Sequence, residues 1–132
     1  MEKLKCILLV DDNPADNRYH QIIIEEMGIV EKIEFAMNGL EAIDYLNDSS
    51  KTLPDLIFLD INMPKMNGWE FLEAYKNIAP EKKAQAVIVM FSTSSNPDDI
   101  NRAKANEDVA TFETKPLTEE TIREILENYV KK

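Results

Sequence analysis

Apolar residues in this chain come in short runs separated by prolines and polar turn residues. One run spans Cys6 to Val10, a second Ile33 to Ala36, a third Leu56 to Leu59, a fourth Ala86 to Phe91, and a weaker fifth Val109 to Phe112. Brief runs of this kind, rich in Ile, Val and Phe and bounded by turn residues, predict buried strands. All six prolines (Pro14, Pro54, Pro64, Pro80, Pro97 and Pro116) fall where a strand or helix should begin or end. A segment of helical character follows each run. The first helix should start at Pro14 with Asn13 as its N-cap and end near Gly28. A second runs from about Gly39 to Asn47, with Leu40, Ile43 and Leu46 on one face, and a third opens at Gly68 with Phe71, Leu72 and Tyr75 sharing a face. The fourth opens at Asn96-Pro97, but only Ile100 and Ala103 mark an apolar stripe, so weak anchoring is expected. In the fifth, Thr118 is a good N-cap, Leu117 and Ile122 suit a hydrophobic staple, and Ile122, Ile125, Leu126 and Tyr129 repeat at helical spacing.

The resulting order is a strand–helix unit repeated five times. Right-handed helical crossovers then place the strands parallel, in an open, doubly wound α/β sheet with helices on both faces. At 132 residues the chain is too short for a closed eight-fold barrel. It reads as a single domain over 1–132, with no linker and no output domain.

Composition narrows the function classes. Hydrophobic residues make up 44% and charged residues 30%, a globular balance. A formal net charge of −10, from 25 acidic against 15 basic residues, opposes binding to nucleic acid or an anionic membrane surface. The lone cysteine, Cys6, has no internal disulfide partner and reads as a buried small side chain. Asp11 and Asp12 end the first apolar run too early for a signal peptide, and no window approaches the roughly 18 apolar residues of a membrane span. A cytoplasmic location is expected.

Candidate chemistry comes from the strand ends. Ligands of open parallel sheets bind outside the carboxyl ends of the strands. Strand 1 ends in Asp11-Asp12, strand 3 in Asp60 and strand 4 in Ser92, and strand 5 leads into Lys115-Pro116. Five parallel strands put all of these on one edge. Three carboxylates crowded there repel one another by about 4 kcal/mol per pair at 4 Å in an effective dielectric near 20, so they need a cation or raised pKa values. An all-oxygen, carboxylate-rich donor set selects a hard ion. Mg²⁺ suits a site with few protein ligands, several waters and a phosphate oxygen, whereas DDNPADNRYHQI lacks the glycine and closing glutamate of a Ca²⁺ loop. Lys115 supplies a point charge, Ser92 a hydroxyl, and the loop around Thr93 backbone N–H groups. Together they make a phosphoryl-transfer site with Asp60 as nucleophile.

On these residues a family resemblance rests. LLVDDNPADN, LIFLDINMPKMNGWEFL, VIVMFSTSSN and FETKPL resemble the receiver domain of two-component response regulators, the CheY-like superfamily, across essentially the whole chain. The resemblance implies the strand order 2-1-3-4-5. It implies that Asp60 is the phospho-acceptor, that Asp11 and Asp12 hold Mg²⁺, one of them through water, and that the backbone carbonyl of Asn62 completes the protein ligands. Ser92 would move toward the phosphate, Lys115 would pair with Asp60 or its phosphate, and Phe112 matches the switch aromatic. The implied partner is a sensor histidine kinase or a histidine phosphotransfer protein, with an unidentified downstream protein bound on the face of helix 4, strand 5 and helix 5, by a monomer or weak homodimer. ANEDVATF lacks the family's usual Gly-Ala pair before strand 5, and Phe rather than Tyr at 112 has no hydroxyl to bond outward. The hydroxyl-rich STSSNPDDI is similar to small regulators that pair with bacterial phytochromes.

Plainer readings exist for each residue. Asp11-Asp12 alone would serve as a cap for the first helix, Ser92 as a turn residue, Lys115-Pro116 as any strand-to-helix turn, and Phe112 equally as core or switch. His20, the only histidine, reads as a surface residue of the first helix, and Trp69 and Tyr75 as packing. Two competing classes remain. One is an aspartate-nucleophile phosphohydrolase, which usually carries Asp-x-Asp where this chain has Asn62. The other is a degenerate receiver that only binds partners.

Overall fold

A computed structural model of the chain describes residues 3–83, 86–93 and 96–130. Strands β1 (Leu4–Val10), β2 (Val30–Ala36), β3 (Leu56–Asp60), β4 (Val87–Ser92) and β5 (Val109–Thr114) form one sheet in the order β2-β1-β3-β4-β5. All four pairings are parallel. Helices α1 (Pro14–Met27), α2 (Gly39–Asn47), α3 (Gly68–Lys76), α4 (Pro97–Ala105) and α5 (Glu119–Ile125) alternate with the strands, and one extra helical turn covers Pro80–Lys83. This is the expected doubly wound α/β fold, and its strand order is that of the CheY-like proteins.

Side-chain alternation along the strands builds two apolar layers. Cys6, Leu8 and Val10 of β1 join Ile57, Leu59, Ile88 and Met90 on the face covered by α2 and α3. Ile7, Leu9, Phe58, Val89 and Phe91 point the other way and meet Ile24 of α1 and Ile122 and Ile125 of α5. Every residue of β3 is buried, as expected of a central parallel strand. The edge strand β2 begins three residues earlier than its apolar run predicts, at Val30. Its exposed Glu31 and Lys32 dilute the apolar signal and suit an unpaired edge.

Local chemistry sets the helix ends. The Asn13 side chain accepts from the Ala15 and Asp16 N–H groups, Pro14 stands in the first turn, and Gly28 closes α1 at φ 65°. Asn67 and Glu70 form a reciprocal capping box on α3. Before β5, where the Gly-Ala pair is missing, Asn106 shapes the turn. Its side chain accepts from the Asp108 N–H at 2.9 Å and its carbonyl from the Val109 N–H at 3.1 Å.

Three packing expectations are corrected. The inward face of α2 is Ala42, Tyr45 and Leu46, while Leu40 is exposed. At the start of the helix Gly39 lies against Met66, where an added Cβ would come within 2.7 Å of the Met66 side chain, and the Gly39 N–H bonds the Met66 carbonyl. Tyr129 is exposed because the chain widens into a π turn over Leu126–Val130, which breaks the 3.6-residue period after Leu126. His20 is not a surface residue: it is 1% exposed, and its ring is wedged beside Phe91 of β4 at 5.3 Å between centroids. No helix among the described residues is long and apolar enough to cross a membrane.

Candidate functional site

The carboxyl edge of the sheet gathers the charged groups. Asp11 follows β1 directly and is fully buried, and each of its oxygens is used. The carbonyl accepts from the Asn17 side chain at 3.0 Å, Oδ1 from the Asn13 N–H at 3.0 Å, and Oδ2 from the Lys115 ammonium at 2.7 Å. Asp60 ends β3 and is 6% exposed, whereas Asp12 is exposed. One carboxylate oxygen from each of Asp11, Asp12 and Asp60 lies within 4.8 Å of the others. The start of α3 presses on this strand end. The Gly68 N–H donates to the Ile61 carbonyl, and a Cβ at Gly68 would stand 2.6 Å from the Asp60 carbonyl oxygen, so only glycine fits.

Lys115 completes the cluster from β5. Its backbone N–H donates to the Ser92 carbonyl at 2.8 Å, tying the turn to β4, and the following bond to Pro116 is cis. Its ammonium meets Asp11 at 2.7 Å, Asp16 at 2.9 Å and Asp60 at 3.5 Å, and lies 4.9 Å from the centre of the Phe91 ring. Burial alone would push this ammonium's pKa down. Hydrogen bonds to Asp11 and Asp16 and the charge of Asp60 outweigh that effect, and the pKa is raised. Burial pushes the Asp60 carboxyl up to about 6, helped by the Asp11 charge and opposed by Lys115. The arrangement is thus an electrostatic surplus of carboxylates around one cation, with three of them positioned to share a second.

The structure brings Asp11, Asp12, Asp60 and Lys115 to one point. Ser92 is buried at the end of β4, next to it. Asn62 lies in the exposed turn two residues after Asp60. Phe112 stands one strand further out, half-buried against the layer that includes Ala103 of α4. Ser94 and Ser95 of the hydroxyl-rich stretch lie outside the described residues. Of two further neighbours, Asp16 went unread in the sequence and His20 was read as a surface residue. Asp16 has the ordinary signature of an acidic residue in a first helical turn, and His20 follows it by four residues on the same face. That spacing, above an edge already rich in charge, was the available signal.

The model of the response regulator receiver domain family matches residues 7–127. The chain belongs to that family. As a solved structure, a two-component response regulator from Cytophaga hutchinsonii superposes with a TM-score of 0.88 at 31% identity, covering 96% of both chains. The bacteriophytochrome response regulator AtBRR superposes at 0.78 with 28% identity over 95% of this receiver and 91% of that chain, in line with the likeness to phytochrome-paired regulators. Response regulator Rcp1 of Synechocystis sp. is 36% identical over 100 residues, which cover 73% of this receiver and 67% of that protein. The Mn²⁺-bound form of Rcp1 superposes at 0.78 with 29% identity, covering 96% and 95% of the two chains. A receiver of two-component signalling carrying an acidic triad suited to a divalent cation is therefore in hand.

Proposed function

We propose that this receiver accepts a phosphoryl group on Asp60 from the phosphohistidine of a sensor histidine kinase or a histidine phosphotransfer protein. The observation that carries this reading is the meeting of the buried Asp60 carboxylate with Asp11, Asp12 and the Lys115 ammonium at one strand edge. The donor set is all oxygen and carboxylate-rich, which fits Mg²⁺. Asp11, Asp12, Asp60 and the Asn62 backbone carbonyl would hold the ion. When bound, Mg²⁺ supplies charge neutralisation for the carboxylates and the transferring group.

In the transfer, an Asp60 carboxylate oxygen forms a bond to phosphorus as the N–P bond of the phosphohistidine breaks. The imidazole nitrogen leaves with the electron pair and takes up a proton, and Asp60 becomes an acyl phosphate. Its pKa near 6 keeps Asp60 mostly ionised at neutral pH, as a nucleophile requires. Lys115 and the Ser92 hydroxyl then engage the phosphoryl oxygens. Ser92 lies on β4, just ahead of α4, so its movement biases the packing of α4 and of Phe112 between alternative arrangements. The face made by α4, β5 and α5 is the proposed site of partner exchange.

With acetyl phosphate as donor, wild type should be labelled in the presence of Mg²⁺ and Asp60→Asn should not. Undiminished labelling of that variant, followed by intact mass, would overturn the assignment.

A further inference from the structure

At rest the Lys115 ammonium is nearer to Asp11 and Asp16 than to Asp60. Asp11 belongs to the acidic triad, but Asp16 does not. A carboxylate in the first turn of α1 would favour the helix N-terminus equally well while facing solvent. Instead it reaches a lysine 99 residues away, whose side chain is only 7% exposed, while the Asp16 side chain is 33% exposed. Four residues along the same helix, the buried His20 accepts the Leu117 N–H on Nε2 at 3.2 Å. Helix α1 therefore grips the chain on both sides of Pro116, the ammonium through Asp16 and the backbone through His20. With the backbone held by His20 and by the Ser92 carbonyl, the ammonium approaches Asp60 only by rotation of its own side chain.

We propose that Asp16 is a positioning residue that parks the Lys115 ammonium, and that binding a phosphoryl group at Asp60 requires this bond to be given up. The inference rests on the phospho-acceptor reading above. When a divalent cation takes the Asp11 carboxylate, Asp16 is the resting partner that remains to Lys115 outside the triad. A phosphoryl group with its anionic oxygens then competes against that one carboxylate. Asp16 thus opposes the phosphorylated state, and its strength sets how readily Lys115 commits.

The test is titration calorimetry of beryllium fluoride, a phosphoryl mimic, at saturating Mg²⁺, with thermal melts to confirm that each variant is folded. Asp16→Asn should bind about fivefold tighter than wild type, the scale of one partly exposed ion pair. In a Lys115→Met background the same substitution should change affinity by less than about twofold. No tightening with Lys115 present, or equal tightening in both backgrounds, would overturn the proposal, the latter showing a general charge effect only. A structure of the wild-type complex with Mg²⁺ and beryllium fluoride decides the matter even if Lys115→Met binds nothing. Lys115 should lie on a fluoride and away from Asp16, and an ammonium still bonded to Asp16 would sink the idea. Failure of wild type to bind beryllium fluoride at all would instead remove the phospho-acceptor reading itself.

Discussion

Helices α3 and α4 are both nine residues long and both open on an asparagine cap, yet they are held very differently. α3 buries Gly68, Trp69, Phe71, Leu72 and Tyr75 and carries a full capping box, while α4 buries Ala103 alone. The strands beneath repeat the contrast: β3 is buried throughout, whereas β5, beside α4, is half-exposed along most of its length. One flank of the acidic pocket is therefore densely packed and the other sparsely packed. That asymmetry suits a switch. The buried carboxylates need a stiff scaffold to stay close together despite their repulsion, and the proposed readout needs an element whose two packings differ little in free energy.

The steepest way to break this comparison is to empty each helix face in turn. Phe71→Ala on α3 should cost about 3–5 kcal/mol, as full burial of an aromatic ring implies, while Ile100→Ala on the half-buried face of α4 should cost about 1 kcal/mol or less. Urea unfolding measures both. Equal losses would show that α4 is as firmly packed as α3, and the contrast would disappear.

A middle-sized effect probes the strain on the densely packed side. Asp60 has its carboxyl pKa raised from 3.8 to about 6, so the folded state binds the proton more tightly than the unfolded chain does. Its contribution to stability is present below about pH 4 and is lost as pH rises through about 6. Without divalent cations, Asp60→Asn should match wild type near pH 4 and exceed it by on the order of 2 kcal/mol at pH 7. Denaturant unfolding across that range checks it, and an advantage that shrinks with rising pH would contradict the sign.

The smallest effect concerns a cation–π contact between the two helices. The Arg102 guanidinium of α4 stands 4.4 Å over the centre of the Trp69 ring of α3. Arg102→Ala should destabilise the fold by only about 0.5–1 kcal/mol. It should also speed amide hydrogen exchange selectively in α4 while leaving α3 unchanged. Uniform acceleration across both helices would mean that α4 has no independent opening to release.

Much of this molecule was legible before folding. Asn13-Pro14 and Gly28 mark the ends of α1, Gly39 to Asn47 marks α2, and apolar runs ending in Asp11, Asp60 and Ser92 mark the strands and their charged tips, because caps, turns and strand burial are written in local residue chemistry. Side-chain rotation was less legible. Leu40 fits the period of α2 but is exposed, next to Gly39, which is packed against the distant Met66. Tyr129 fits the period of α5 until the helix itself changes pitch.

The pocket divides along the same line. By itself the sequence determined that Asp11, Asp12, Asp60 and Lys115 share one sheet edge, since parallel topology alone carries strand ends to the same side. Only the tertiary structure decided which carboxylate the lysine rests on, and that His20 is buried holding Leu117. Those choices depend on how α1 lies across the β5–α5 turn, and helix placement follows from the summed packing of a whole apolar layer rather than from any local run of residues.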